Sequence, residues 1–164
     1  MLNLQDLNGL ERAEFTGVIG PVFEHSPWIA EKTWEQRPFS SREHLHRALC
    51  QTVMAGDMSA KLELIRAHPD LAGRVELTDA SSSEQASANL TKLSQDEMVA
   101  FQNYNQQYRD KFGFPFVICA RLNKKEAILA AFPARLRNSA EEEMDTALSE
   151  IFKIADLRLQ DIIK

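Results

Sequence analysis

Apolar residues along this chain recur mostly every three or four positions, which is the period of an α-helix. The last segment shows the pattern clearly, because Met144, Leu148 and Ile151 fall on one face of a helix. Four Ser-x-x-Glu sequences mark helix starts, since in this pattern the Ser and Glu side chains cap the first turn. They occupy residues 40–43, 81–84, 94–97 and 139–142.

The pattern as a whole predicts an all-α fold that forms one domain over residues 1–164. Residues 114–120 are the exception, because they form an apolar, β-branched run without an obvious partner strand, and we expect extended, buried backbone there. Helices are predicted over about residues 9–24, 28–36, 41–55, 59–67, 81–90, 94–112 and 124–137, and from 139 to near the C-terminus.

Composition narrows the classes of function. The chain has 164 residues, of which 44% are hydrophobic and 26% charged, and its net charge of −5 argues against broad nucleic-acid binding. A small anionic substrate, which needs only one or two local cations, stays compatible with this charge. No run approaches ~18 apolar residues, and no basic, apolar leader opens the chain, so we expect a cytoplasmic protein with no membrane contact.

Residues 68–73, His-Pro-Asp-Leu-Ala-Gly, place a titratable side chain where a helix is predicted to stop. Pro69 disfavours helical geometry at His68, and Gly73 suits a turn. A histidine at the rim of a helix can face a cleft, and an ordinary imidazole pKa near ~6.5 makes it the usual proton carrier at neutral pH. The alternative is a surface loop that carries a histidine without a role.

Two further segments allow both a structural and a functional interpretation. A capping box explains Ser81 and Glu84 without any function, yet the unpaired amides of a helix N-terminus also suit a polar ligand. The extended backbone of residues 114–120 needs hydrogen-bond partners, which a bound heterocyclic amide could supply. Arg121 closes this apolar run; its planar fork suits a substrate carboxylate, or equally an acidic neighbour.

No metal site is predicted. His44 and His46 lie two residues apart and point to different faces of a helix. Cys50 and Cys119 lack CxxC spacing, and we expect both to be reduced in or near the core.

The motifs together resemble one family, the OHCU (2-oxo-4-hydroxy-4-carboxy-5-ureidoimidazoline) decarboxylases, which act last in the route from urate to allantoin. The similarity covers nearly the whole chain. It differs at Asn89 and at Leu122-Asn123, where the family often has glycine, and both differences lie beside the motifs rather than within them. The motifs are residues 68–73, Leu77-Thr78 with Ser81-x-x-Glu84-Gln85, residues 108–121 and residues 150–159.

The resemblance implies a bundle of about seven to eight helices, usually a homodimer, that acts as a cofactor-free carboxy-lyase on an anionic ureidoimidazoline. The family's histidine corresponds to His68 as proton donor, and Glu84 corresponds to a group that binds or orients the substrate. We expect Glu84 to act with His68 in catalysis, and either could be the base in one step and the acid in the next. Arg121 would pair with the anionic substrate. The remaining expected substrate-binding residues are Pro69, Ser81, Gln85 and the backbone of Phe116, Val117, Ile118, Cys119 and Ala120.

The chemistry that the resemblance implies needs no electron-accepting cofactor. The carbon that loses CO2 adjoins a ring C=N, which accepts the electron pair and gives an enol-like intermediate. Protonation of one face of the ureido-bearing carbon then gives (S)-allantoin. The alternative to an enzyme is a non-catalytic all-helical interaction module of the same fold, which would have no reason to bring His68, Glu84 and Arg121 together.

Overall fold

The computed structural model describes residues 1–73 and 76–164, and α-helices are the regular structure of these two ranges. Within them no β-strand is found, and only Leu2 and Ile163 form an isolated parallel bridge. The all-α prediction is therefore confirmed. The helices are α1 (Leu4–Asn8), α2 (Arg12–Ile19), α3 (Trp28–Thr33), α4 (Arg42–Met54), α5 (Met58–Arg66), α6 (Asp79–Ser87), α7 (Gln95–Phe112), α8 (Lys125–Leu136) and α9 (Ala140–Ile162).

Two of the four predicted capping boxes form as expected. At the start of α7, Ser94 Oγ accepts from Glu97 N at 3.1 Å and Ser94 N donates to Glu97 Oε1 at 3.0 Å. Ser139 and Glu142 make the same pair of bonds at the start of α9. Helix α7 ends at Gly113, whose φ of 77° is a left-handed conformation that glycine adopts without strain.

The other two predicted boxes are wrong by one and three residues. Ser41, not Ser40, caps α4, and its side chain accepts from His44 N at 2.9 Å. Thr78, not Ser81, caps α6, and its hydroxyl accepts from Ser81 N at 3.2 Å. Ser81 therefore lies within the first turn of α6, and capping does not explain its presence.

The helix predicted over residues 9–24 is shorter than expected. Helix α2 stops at Ile19, and a 3₁₀ turn (Gly20–Val22) follows, because Pro21 lacks the N–H that would continue an α-helix. The short helix α1 was not predicted. None of the helices in the described ranges is both long and apolar enough to cross a membrane.

The chain divides into two compact units, and the boundary in the C-terminal part falls inside α9. The first unit comprises residues 1–67 and 152–164; its core includes Phe15 and Leu49, and a buried ion pair joins Arg158 to Glu24 at 2.7 Å. The second unit comprises residues 68–151 and contains every residue of the predicted site.

The second unit packs around aromatic rings from α7, α8 and the segment between them. The rings of Phe116 and Phe132 stack with centroids 3.9 Å apart, and Tyr108 meets Phe116 edge-on at 5.3 Å. Residues 114–120 are buried, and residues 114–119 belong to no helix or strand before the 3₁₀ turn Ala120–Leu122. The prediction of a buried, non-helical segment between two helices is confirmed.

Candidate active site

The histidine predicted to carry chemistry lies just beyond the end of a helix. Helix α5 ends at Arg66, and His68 follows in a turn that Pro69 prevents from remaining helical. His68 is only 7% exposed, so the interpretation as a surface-exposed histidine is wrong. A buried imidazole in a turn, outside the regular packing of a helix, is a candidate for proton transfer.

Helix α6 directs polar side chains inward. Ser81, Glu84 and Gln85 are 6%, 9% and 6% exposed, and their spacing places them on one face with the buried Ala88. A helix of a protein core ordinarily presents apolar residues on that face. Because Thr78 supplies the cap, neither Ser81 nor Glu84 is accounted for by helix capping, and their burial marks this face as a candidate site.

Three side chains, two of them buried, bind the backbone of residues 117–119. Arg135 Nη1 donates to Val117 O at 2.6 Å, and Cys119 N donates to Glu150 Oε1 at 3.1 Å. Asn123 Nδ2 donates to Cys119 O at 2.9 Å. The sequence led us to expect a ligand as the hydrogen-bond partner of this backbone. The protein itself supplies part of these partners, and their hydrogen bonds hold the segment in place.

Behind this segment lies a buried polar network that the sequence analysis missed. Glu143 is fully buried; its Oε1 accepts from Tyr108 Oη at 2.6 Å and from Arg135 Nε at 2.6 Å. Its Oε2 accepts from Asn138 Nδ2 at 2.8 Å. Burial, together with the hydrogen bond to Glu143, holds the pKa of Tyr108 well above its usual value, so Tyr108 remains a donor. The sequence did carry a signal, since Arg135 continues the buried face of Ile128 and Phe132.

Cys119 is a neutral thiol in this environment. Burial is the main cause that raises its pKa, and the carboxylates of Glu150 and Glu84 raise it further. A thiol held protonated is a poor nucleophile, so Cys119 is not a candidate for covalent catalysis.

Hydrogen bonds tie the three predicted segments together within the second unit. Gln85 Oε1 accepts from Ala72 N at 3.0 Å, which joins α6 to the turn that follows His68. Ala88 O accepts from Lys125 N at 3.0 Å, which joins the end of α6 to the residues after Arg121. Arg121 itself lies in the 3₁₀ turn Ala120–Leu122 and is exposed, unlike the other predicted site residues.

The two departures from the family pattern each have a local structural role. Asn89 has φ of 65°, the left-handed region, where asparagine is tolerated better than other non-glycine residues. It therefore ends α6 as a glycine would. Asn123 uses its side chain to bind Cys119 O, as described above, and so closes the 3₁₀ turn.

No group of three or more His, Cys, Asp or Glu side chains within residues 1–73 and 76–164 could hold a metal ion. The imidazoles of His44 and His46 have separate partners, since His44 Nδ1 lies 3.0 Å from Ser40 N and His46 Nε2 lies 2.8 Å from Phe152 O. Both cysteines are free thiols, with Cys119 buried and Cys50 partly buried.

A polar cleft of about 230 Å³ lies where the turn after His68 meets α7. Asp70 and Arg109 form an ion pair there at 2.9 Å, and Asn105 lies one helical turn before Arg109. The cleft is lined by Asp70, Ala72, Gly73, Gln102, Asn105, Gln106 and Arg109.

Comparison with known proteins places the chain in one family. The family model described as OHCU decarboxylase matches residues 8–160. The 2-oxo-4-hydroxy-4-carboxy-5-ureidoimidazoline decarboxylase of Haloferax volcanii is 44% identical, with 98% of this chain and 95% of the relative covered. The protein of the same name from Halalkalicoccus jeotgali is 43% identical, with 98% and 92% covered.

Solved structures agree with this result. The crystal structure of (S)-allantoin synthase superimposes with a TM-score of 0.83 at 30% identity, over 100% of this chain and 54% of that chain. The fold, the motifs and the sequence relatives therefore lead to one assignment. This chain belongs to the OHCU decarboxylase family.

Proposed function

We propose that this chain converts 2-oxo-4-hydroxy-4-carboxy-5-ureidoimidazoline to (S)-allantoin and CO2 in urate degradation, with His68 and Glu84 as its catalytic residues. Full-length membership of the family supports the reaction. The inward polar face of α6 is the observation that supports the site, because it buries Ser81, Glu84 and Gln85 in the unit that also buries His68.

In the proposed first step, Glu84 accepts the proton of the substrate hydroxyl. The bond between the ring carbon and the carboxylate then breaks, CO2 leaves, and the electron pair moves into the adjacent C=N. In the second step His68 delivers a proton, directly or through one water, to one face of the ureido-bearing carbon. Glu84 returns the hydroxyl proton to the ring nitrogen that received the electron pair, so that neutral allantoin forms, and one proton from solvent restores His68. No oxidant or reductant is needed, and the buried setting strengthens each electrostatic contact.

Rigid surroundings suit the second step, because the uncatalysed product is racemic and the enzyme must hold one face of the ring towards the donor. We assign that task to Ser81, Gln85 and the backbone of residues 116–120, with Pro69 packed beside the ring. Residues 117–119 are held by Arg135, Glu150 and Asn123. A fixed backbone of this kind can keep a substrate in register without reorganising during the reaction.

The test of the function is circular dichroism of allantoin formation, with substrate generated in situ from urate by urate oxidase and 5-hydroxyisourate hydrolase. The wild-type chain is expected to give one enantiomer rapidly. Glu84→Gln is expected to lower kcat about 100-fold, because the amide cannot accept the hydroxyl proton. Glu126→Gln makes the same chemical change at an exposed position of α8 and is expected to behave as wild type.

Slow, racemic product with the wild-type chain, at the rate of a tube without enzyme, would contradict the proposed function. It would favour the non-catalytic helical module. Full activity of Glu84→Gln would be compatible with the proposed reaction but would exclude a catalytic role for Glu84.

Arg121 is expected to matter for binding more than for chemistry. It is exposed, so its attraction to the substrate anion is screened by solvent and salt. Arg121→Ala should raise KM about 3- to 5-fold and leave kcat nearly unchanged, since exposed charge pairs contribute little free energy. Arg137→Ala, at another exposed arginine of the same unit, is the control. An unchanged KM at low salt would exclude Arg121 from substrate binding.

We also propose that residues 1–164 form a single catalytic domain that works as a cytoplasmic homodimer. The continuous family match over residues 8–160 supports the single domain, and the family resemblance supports the homodimer. Light scattering of the purified protein should give twice the mass of the 18.6 kDa chain, and a monomer would contradict the dimer. Fractionation of the source cells tests the location.

A further inference from the structure

The buried amide of Asn105 is an unusual side chain for the interior face of α7. Asn105 is 8% exposed, and its Nδ2 donates to Leu71 O at 2.9 Å. A carbonyl oxygen only accepts, so the amide nitrogen must face it. Asn105 Oδ1 is buried and has no hydrogen-bond partner among the described residues, which costs free energy. An apolar side chain would fill this space without burying an unpaired oxygen. What Asn105 offers and an apolar residue does not is the Nδ2 donor to Leu71 O.

Arg109, one turn further along α7, forms an ion pair with Asp70, the residue before Leu71. Arg109 Nε lies 3.0 Å from Asp70 Oδ1 and 3.3 Å from Oδ2, and its Nη2 lies 2.9 Å from Oδ1. Two nitrogens of one guanidinium on one carboxylate fix orientation as well as distance. The Arg109 side chain is 46% exposed, so the pair contributes little to stability and its main effect is geometric.

The third contact to this turn comes from α6. Ala72 has φ of 57°, a left-handed conformation that is strained for alanine, and its N–H donates to Gln85 Oε1. Residues 70, 71 and 72 are therefore held in succession by three different side chains. A strained backbone persists only where its surroundings determine it in this way.

We propose that Asn105 and Arg109 are positioning residues, which act by fixing the turn at residues 70–72 and thereby the imidazole of His68. The inference rests on the proposed role of His68. Only two residues separate His68 from Leu71, and Pro69 stiffens the connection, so a shift of the turn is passed directly to His68. A donor that must reach one face of the intermediate is sensitive to such a shift.

Asn105→Asp is the first test, because it keeps the shape of the side chain and removes the donor. We expect kcat to fall about 10- to 100-fold with KM within about threefold, since a small misplacement of a reacting group is costly. The enantiomeric excess of the enzymatic product should also fall. Gln102→Glu is the matched control: it makes the same amide-to-acid change on an exposed side chain of the same helix and cleft, and should retain kcat and stereoselectivity.

A double-mutant cycle separates positioning from a merely structural role. In the His68→Asn background, Asn105→Asp should cause no further loss of kcat, because its effect is exerted through His68. Arg109→Gln, which changes an exposed side chain, should lower kcat about 3- to 10-fold and give the answer if Asn105→Asp does not fold.

The outcomes distinguish the inference from the assignment on which it rests. Variants at Asn105 or Arg109 that lose thermal stability but keep kcat and enantiomeric excess would overturn the positioning role. Additive losses in the double variant would also overturn it. Full activity of His68→Asn would instead reject the catalytic role of His68.

Discussion

Replacement of His68 by asparagine is expected to lower kcat for (S)-allantoin about 1,000-fold, the middle of the range for a general acid or base. Asparagine retains a polar group of similar reach but has no proton to exchange near neutral pH. KM should change little, because the proposed task of His68 arises after CO2 has left. The residual product should be racemic, since an intermediate released without a directed proton is protonated by water on either face.

The measurement is circular dichroism of the product, with total allantoin determined separately. His25→Asn is the matched control, because His25 is exposed and has φ of 45°, a conformation that asparagine tolerates well. It removes an imidazole from the chain without disturbing the candidate site. Stereoselective turnover by His68→Asn at the wild-type rate would show that another group supplies the proton, and Glu84 would be the next candidate.

The turn at His68 could be predicted because its signals are local. Pro69 restricts the backbone at the histidine, and Gly73 permits a turn, whatever the rest of the chain does. Residues 114–120 were predictable for a similar reason, because a β-branched apolar run between two helices has few alternatives to burial. Both predictions concern backbone conformation, which short stretches of sequence specify well.

The start of α6 was predicted wrongly because two caps compete within four residues. Thr78 and Ser81 are both favourable N-cap residues, and the glutamate three residues after Ser81 favours the later start. Burial decides between them, and burial is a tertiary property that the local sequence does not contain. The error had a consequence for function, since the false capping box offered a structural explanation for the same Ser81 and Glu84 that form the candidate site.

The network around Glu143 is another feature whose partners are determined by long-range packing. Tyr108, Arg135 and Glu143 lie on three different helices, and no spacing rule connects them. Arg135, a charged residue on the buried face of α8, was the one sign of this network in the sequence. Sequence patterns show that such a residue needs a partner, but they do not identify it.

Glu143→Gln is expected to destabilise the protein by about 3–5 kcal/mol, the usual cost of breaking a buried ion pair by removing one partner. Glu143 is fully buried and Arg135 is 8% exposed, so solvent cannot replace the lost charge. The melting temperature should fall by roughly 10 °C, given about 2–4 °C per kcal/mol for a domain of this size. Glu141→Gln, at an exposed position of the first turn of α9, is the control and should change stability by less than about 1 kcal/mol.

The same variant connects stability to activity. Arg135 donates to both Glu143 and Val117 O, so an arginine that loses its carboxylate partner is free to move away from the segment proposed to line the substrate. We therefore expect Glu143→Gln to lower kcat even at temperatures where it is fully folded. An unfolding curve shifted as predicted, with unchanged kcat below the transition, would assign the network to stability alone. A loss of both stability and kcat would mean that the ion pair between Arg135 and Glu143 has two effects. It would stabilise the core of this unit and also fix the backbone proposed to line the substrate ring.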